Sequence, residues 1–105
     1  MFVAMNTFKV NPERCGDFED GWRSRESYLA GFKGFVQFAL LKGDEPGDYI
    51  SHSTWESRAD FMAWTESEAF KAAHGRRSMQ GVLMGPPQVR FYESVIVERT
   101  PAPAS

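Results

Sequence analysis

Residues 2–10 alternate with a period of two. Phe2, Ala4, Phe8 and Val10 fall on one face, and Val3, Met5 and Thr7 on the other. The pattern predicts a strand, and a strand apolar on both faces is expected to be covered on both sides. Asn11 then offers an N-cap and Pro12 a first helical position. Behind them Phe18, Trp22, Arg25 and Leu29 recur at helical spacing, and Gly31 suits the end of that helix. Residues 34–42, GFVQFALLK, and 48–56, DYISHSTWE, read as two strands of a hairpin joined by the turn GDEPGD. Ser57 and Asp60 have the spacing of a capping box, opening a helix through Phe61 and Trp64. Thr65 and Glu68 repeat that spacing, so the helix is expected to break there and restart. The second piece carries Phe70 and His74 and ends near Gly81. Gly85, Pro86 and Pro87 precede a last strand over 88–98.

The resulting order, β-α-β-β-α-β, is the ferredoxin-like α+β arrangement. Two helices cover one face of the sheet. Within one chain nothing is left to cover the other, also apolar, face. Two sheets packed face to face would close it, so a homodimer forming a dimeric α+β barrel is expected. Residues 1–99 read as one domain and 100–105, rich in Pro and Ala, as a disordered tail.

Composition sharpens this picture in three ways. Apolar residues make up 42% of the 105, which excludes a disordered chain, and aromatics reach 14%. So many rings on so small a domain suggest an interface, a flat ligand, or both. The net charge of −2 gives no electrostatic footprint for nucleic acid. No apolar run approaches the roughly 20 residues of a membrane helix, and the first ten residues have no basic lead-in, so neither membrane nor signal peptide is expected. The single Cys15 fits a reducing cytoplasm and reads as an inert structural thiol.

Three residues stand out from their surroundings. Asn6 lies on the apolar face of the first strand, where an unpaired carboxamide costs roughly 1–3 kcal/mol. Either it bonds to nearby backbone or it is aimed at a ligand. His74 shares a helical face with Phe70 and is flanked by Ala72, Ala73 and Gly75, which leave room for a flat, bulky group. A neutral imidazole is a common haem-iron ligand, and a helix-end His is the plainer alternative. Trp64 precedes His74 by ten positions, across the expected break, where core packing is the default for Trp. Trp22 and Trp55 read as core or interface, and His52, mid-strand, as structural. There is no paired-Cys spacing, no HExxH, no phosphate loop and no nucleophile paired with a base.

Together these residues resemble the IsdG-type haem-degrading monooxygenases, a branch of the antibiotic biosynthesis monooxygenase group of dimeric α+β barrels. The matching pieces are Asn6 in the first strand, GFVQFALLK, STWES and FMAWTESEAFKAAHGRR with its Trp64 and His74. The resemblance covers roughly residues 2–98. It implies Asn6, Trp64 and His74 as the catalytic set, with His74 the proximal ligand to the iron. Trp64 would press on and ruffle the porphyrin, and Asn6 would hydrogen-bond the dioxygen-derived ligand. Haem would be both cofactor and substrate. With O2 and an external electron donor, a reductase or small reductant, it would open to a chain tetrapyrrole and release iron. Phe70 would line the haem site. Arg25, which interrupts the apolar stripe of the first helix, is the candidate for a propionate, with Arg23, Arg76 and Arg77 behind it. The competing readings are a cofactor-free monooxygenase acting on an aromatic polyketide or quinol, a haem carrier, and a ligand-free stress-responsive barrel.

Overall fold

Val10 and Gly47 fix the corner where the first strand ends. The Val10 N–H donates to the Gly47 carbonyl at 2.8 Å. Gly47 has φ +89°, and any Cβ there would collide with the Val10 carbonyl, so only glycine fits. In the computed structural model the described residues are 1–24, 29–68, 70–71 and 81–99. They form β1 (Phe2–Lys9), a 3-10 turn (Pro12–Arg14), α1 (Cys15–Ser24), β2 (Phe35–Lys42), β3 (Asp48–Trp55), α2 (Arg58–Thr65) and β4 (Gln88–Glu93). The strands make one antiparallel sheet in the order β2-β3-β1-β4. This is the expected ferredoxin-like α+β arrangement.

The local signals act where they were read. Asn11 Oδ1 accepts from the Glu13 N–H at 3.0 Å, and Pro12 opens the 3-10 turn that leads into α1. Ser57 Oγ accepts from the Asp60 N–H at 3.2 Å, capping α2. The helix does stop at Thr65, but the cap of the following turn is Ser67, not Thr65. Ser67 Oγ accepts from the Phe70 N–H at 3.1 Å, whereas the Thr65 hydroxyl is turned back onto the Met62 carbonyl at 2.8 Å. The last strand is shorter than its 88–98 pattern. Its ladder ends with Glu93 opposite Phe2, the Ser94 N–H closes onto the Met1 carbonyl, and Val95 and Ile96 run on exposed. β1 begins at Phe2, so beyond that point the alternation has no strand to pair with.

Among the described residues the core forms two aromatic clusters. Phe2, Ala4, Leu29, Trp55 and Trp64 form the first, with Phe32, Phe35, Phe38, Phe61 and Phe70 packed on it. Phe8, Val10, Phe18, Tyr49 and Val82 form the second, with Trp22 and Leu40 against it. Both lie on the helix side of the sheet, and they part along β1 between Ala4 and Phe8.

Candidate functional site

Asn6 occupies that gap. Strand registry sets its surroundings row by row. Phe2 faces Trp55 and Phe8 faces Tyr49, which places an aromatic pair at each end of the helix-facing side. Between them Ala4 faces Ser53 and Asn6 faces Ser51. One row therefore reads Leu40, Ser51, Asn6, Val89 across the sheet, and the next reads Phe38, Ser53, Ala4, Phe91. The four central positions are all small or polar. Small and polar side chains thus separate two aromatic walls on this face of the sheet.

The Asn6 carboxamide oxygen is buried and has no hydrogen-bond partner among the described residues. The alternative that Asn6 bonds to nearby backbone does not hold for this atom. A buried acceptor left unpaired is destabilising, and a position on this face is readily filled by Val or Leu. Ser51 and Ser53 were missed by sequence reasoning. They break the inward face of DYISHSTW between Tyr49 and Trp55, the same anomaly that singles out Asn6. Neither hydroxyl makes a hydrogen bond among the described residues.

A cleft of about 360 Å³ opens over the β2 end of these rows, lined by Trp22, Phe38, Leu40 and Tyr49, with Glu19, Arg23 and Lys42 as its charged edge. That volume is in the range of small-molecule sites. Tyr49 donates its phenol hydrogen to Glu19 Oε2. Lys42 Nζ stands 3.5 Å from the same oxygen, and Arg23 bonds Glu19 Oε1 at 3.0 Å. The bond from Tyr49, followed by the attraction of Lys42 and Arg23, holds the Glu19 carboxyl below the ordinary glutamate range against an opposing effect of burial. Burial first, then the bond to Glu19, pushes the Tyr49 phenol up.

Trp64 is 6% exposed and lies in the first cluster. Its ring stacks on Trp55 and meets Phe32 and Phe70 edge-on. Trp64 and Phe70 are thus brought together, and Asn6 lies one row beyond Ala4 of the same cluster. His52 sits opposite Met5, on the other side of the sheet from Asn6. Arg23 is at the cleft edge. His74, Arg25, Arg76 and Arg77 lie outside the described residues. Among the described residues no group of three or more His, Cys, Asp or Glu is placed to hold a metal ion.

The chain matches the antibiotic biosynthesis monooxygenase family over residues 1–76. A haem-degrading monooxygenase of Shouchella clausii is 37% identical over 68 residues, which are 64% of this chain and 63% of that protein. The matched region is therefore less than two thirds of that relative's length. A haem-degrading monooxygenase of Bacillus thuringiensis is 26% identical over 107 residues, 99% of both chains. Among solved structures, the haem degrader MhuD of Mycobacterium tuberculosis, with two haems bound in its active site, is similar at 25% identity. Its TM-score is 0.78, over 94% of this chain and 100% of that one.

Proposed function

The chain belongs to the antibiotic biosynthesis monooxygenase family, and we propose that within it this protein degrades haem. The observation that carries the reading is the buried Asn6 carboxamide, its oxygen unpaired among the described residues, on a sheet face with an aromatic pair at each end. A large planar ligand with a polar centre suits both features: rings take its faces, and the carboxamide takes what stands off its plane. The names of the relatives support haem in particular. Residues 1–99 form the domain that carries this site, with 100–105 a tail.

Haem, here the substrate, brings the iron that activates dioxygen once an external donor has reduced it. The protein's own contributions are separable. His74 offers a neutral imidazole to the iron and so fixes where the ring sits. Trp64, immobilised by Trp55, Phe32 and Phe70, is a wall that does not yield, and a macrocycle held against it is the part that bends. Phe70 extends that wall. Asn6 donates through Nδ2 to the polar atom nearest the iron, adding no readily lost proton. Arg25 meets a propionate, with Arg23 at the cleft edge as the second cation. The product is an open-chain tetrapyrrole with iron released. The far face of the sheet, carrying Val3, Met5, Ile50 and Tyr92, packs against a second copy in a homodimer. No helix among the described residues is long and apolar enough to cross a membrane. We place the activity in the cytoplasm, where Cys15 stays reduced and a reductase or small reductant is at hand.

Titration with hemin, followed by ascorbate in air, tests this directly. A Soret band that forms and then decays is expected. A band that forms and persists would make the protein a carrier, and no band would leave a cofactor-free monooxygenase of the same family.

A further inference from the structure

We propose that Ser51 is a positioning residue for Asn6, holding its carboxamide with the oxygen toward β3 and the NH2 toward the ligand. The inference rests on the reading of this site as a haem site.

A carboxamide offers an acceptor at one end and a donor at the other, and rotation about χ2 exchanges them. Only one orientation serves a polar ligand that needs a donor. Something must therefore hold the oxygen end. Asn6 Oδ1 has no hydrogen-bond partner among the described residues, and the residue directly opposite it on β3 is Ser51. The Ser51 hydroxyl makes no bond of its own among the described residues. Side chains directly opposite in an antiparallel pair have Cβ atoms about 4.5–5.5 Å apart, within reach of a Ser–Asn hydrogen bond after one χ1 rotation. Val89, opposite Asn6 on β4, and Leu40, opposite Ser51 on β2, offer no polar side chain. In its own row, then, the one unanchored donor stands next to the one unanchored acceptor. Ligand binding beside Asn6 would lock the pair, because a flipped amide would turn its oxygen toward the ligand's lone pairs.

Ser51→Ala removes the anchor, and Ser51→Thr keeps a hydroxyl on a side chain suited to a strand. Haem affinity is set elsewhere, so both variants are expected to bind hemin within about twofold of the parent. Ser51→Ala is expected to degrade haem roughly tenfold more slowly, the effect of misdirecting one neutral hydrogen bond, with Ser51→Thr near the parent rate. The stretching frequency of carbon monoxide on the ferrous haem reads the orientation without turnover. A donor facing the bound gas lowers the frequency and a lone pair raises it. Ser51→Ala should therefore move it up and Ser51→Thr should restore it. An unchanged frequency and rate in Ser51→Ala, with hemin still bound, would overturn the positioning role and leave the haem reading standing. A parent protein that takes up no hemin overturns both.

Discussion

Trp64 stacks on Trp55 with ring centroids 6.2 Å apart and 30° between their planes. Phe32 and Phe70 meet its edges at 5.4 and 5.7 Å. The side chain proposed to bear on the substrate is therefore also a keystone of the first aromatic cluster. Rigidity of that wall and stability of the fold are one property.

Truncation at Trp64 consequently cannot report on chemistry. Trp64→Ala should lose about 3–5 kcal/mol of stability, a large share of the roughly 5–15 kcal/mol of a small domain. Trp64→Phe keeps a ring in the cluster and should fold. Urea melts of the two variants check the first statement. For the second, Trp64→Phe should keep its Soret band yet degrade haem more slowly or to a different product mixture. Parent rate and parent product would remove Trp64 from the chemistry.

His74→Ala should lose most haem affinity and all turnover. The motive is the run Phe70-Lys-Ala-Ala-His74-Gly75, whose small residues give a flat group access to the imidazole. Hemin titration measures it, and added imidazole should restore part of the Soret band. An unaltered band in the variant would assign the iron ligand elsewhere.

The alternations, the caps at Asn11 and Ser57 and the β-α-β-β-α-β order were legible because each is a local signal whose structural consequence is also local. The end of β4 was not legible, because a strand's length depends on its neighbour: 88–98 alternates throughout, but β1 pairs only as far as Glu93. The choice of Ser67 over Thr65 as the cap after α2 was equally out of reach. Both hydroxyls fit the spacing, and only the turn of the chain at Glu66 decides which one faces a free N–H. Asn6 was legible because it is polar on an apolar face. Ser51 and Ser53 carried the same signal more weakly, since Ser is common in strands, and became visible only once registry set them beside Asn6 and Ala4.

The charged edge of the cleft makes stability depend on pH. In the fold the Glu19 carboxyl lies below its ordinary value of 4.5, chiefly through the hydrogen bond from Tyr49. A lowered carboxyl means that the unfolded chain binds more protons in this range. The contribution is therefore complete above pH 4.5 and is lost as pH falls through the folded value. Tyr49 is shifted the other way, so its neutral form supports the fold up to the ordinary tyrosine range and less above it. Tyr49→Phe should flatten the acid limb between about pH 5 and 3. Urea midpoints across that range check it, and parallel acid limbs for parent and variant would refute it.

On the far side of the sheet, Met5 faces His52, Thr7 faces Ile50, and Val3 faces Thr54 and Tyr92. Leu41 and Tyr92 there are 45% and 47% exposed in the single chain. A face so apolar is expected to be shared, and sedimentation at micromolar concentration should give twice the 11.9 kDa of one chain. Ile50→Asp places a charge in the middle of that face, on the other side of the sheet from Asn6. It should shift the protein to monomer while leaving the secondary structure intact. A parent protein that sediments as a monomer would exclude the paired barrel.

Asn6 is where stability and function should part most clearly. An unpaired buried acceptor costs about 1–3 kcal/mol, and Val at that position would add apolar burial and a good strand former. Asn6→Val should therefore raise the denaturation midpoint of the ligand-free protein, an outcome rare for a substitution in a core. The same change removes the donor facing the ligand. By analogy with donors that stabilise charge as it develops, the barrier should rise by about 2–4 kcal/mol, roughly a 30- to 1,000-fold loss in rate. Hemin affinity should change little, because the imidazole–iron bond and the aromatic walls are untouched. A more stable, haem-binding, inactive protein is the combined expectation. Thermal melts without hemin and single-turnover decay of the Soret band under excess reductant measure the two halves. A destabilised Asn6→Val would mean that the carboxamide holds the fold. A rate within twofold of the parent would mean that it does not act on haem.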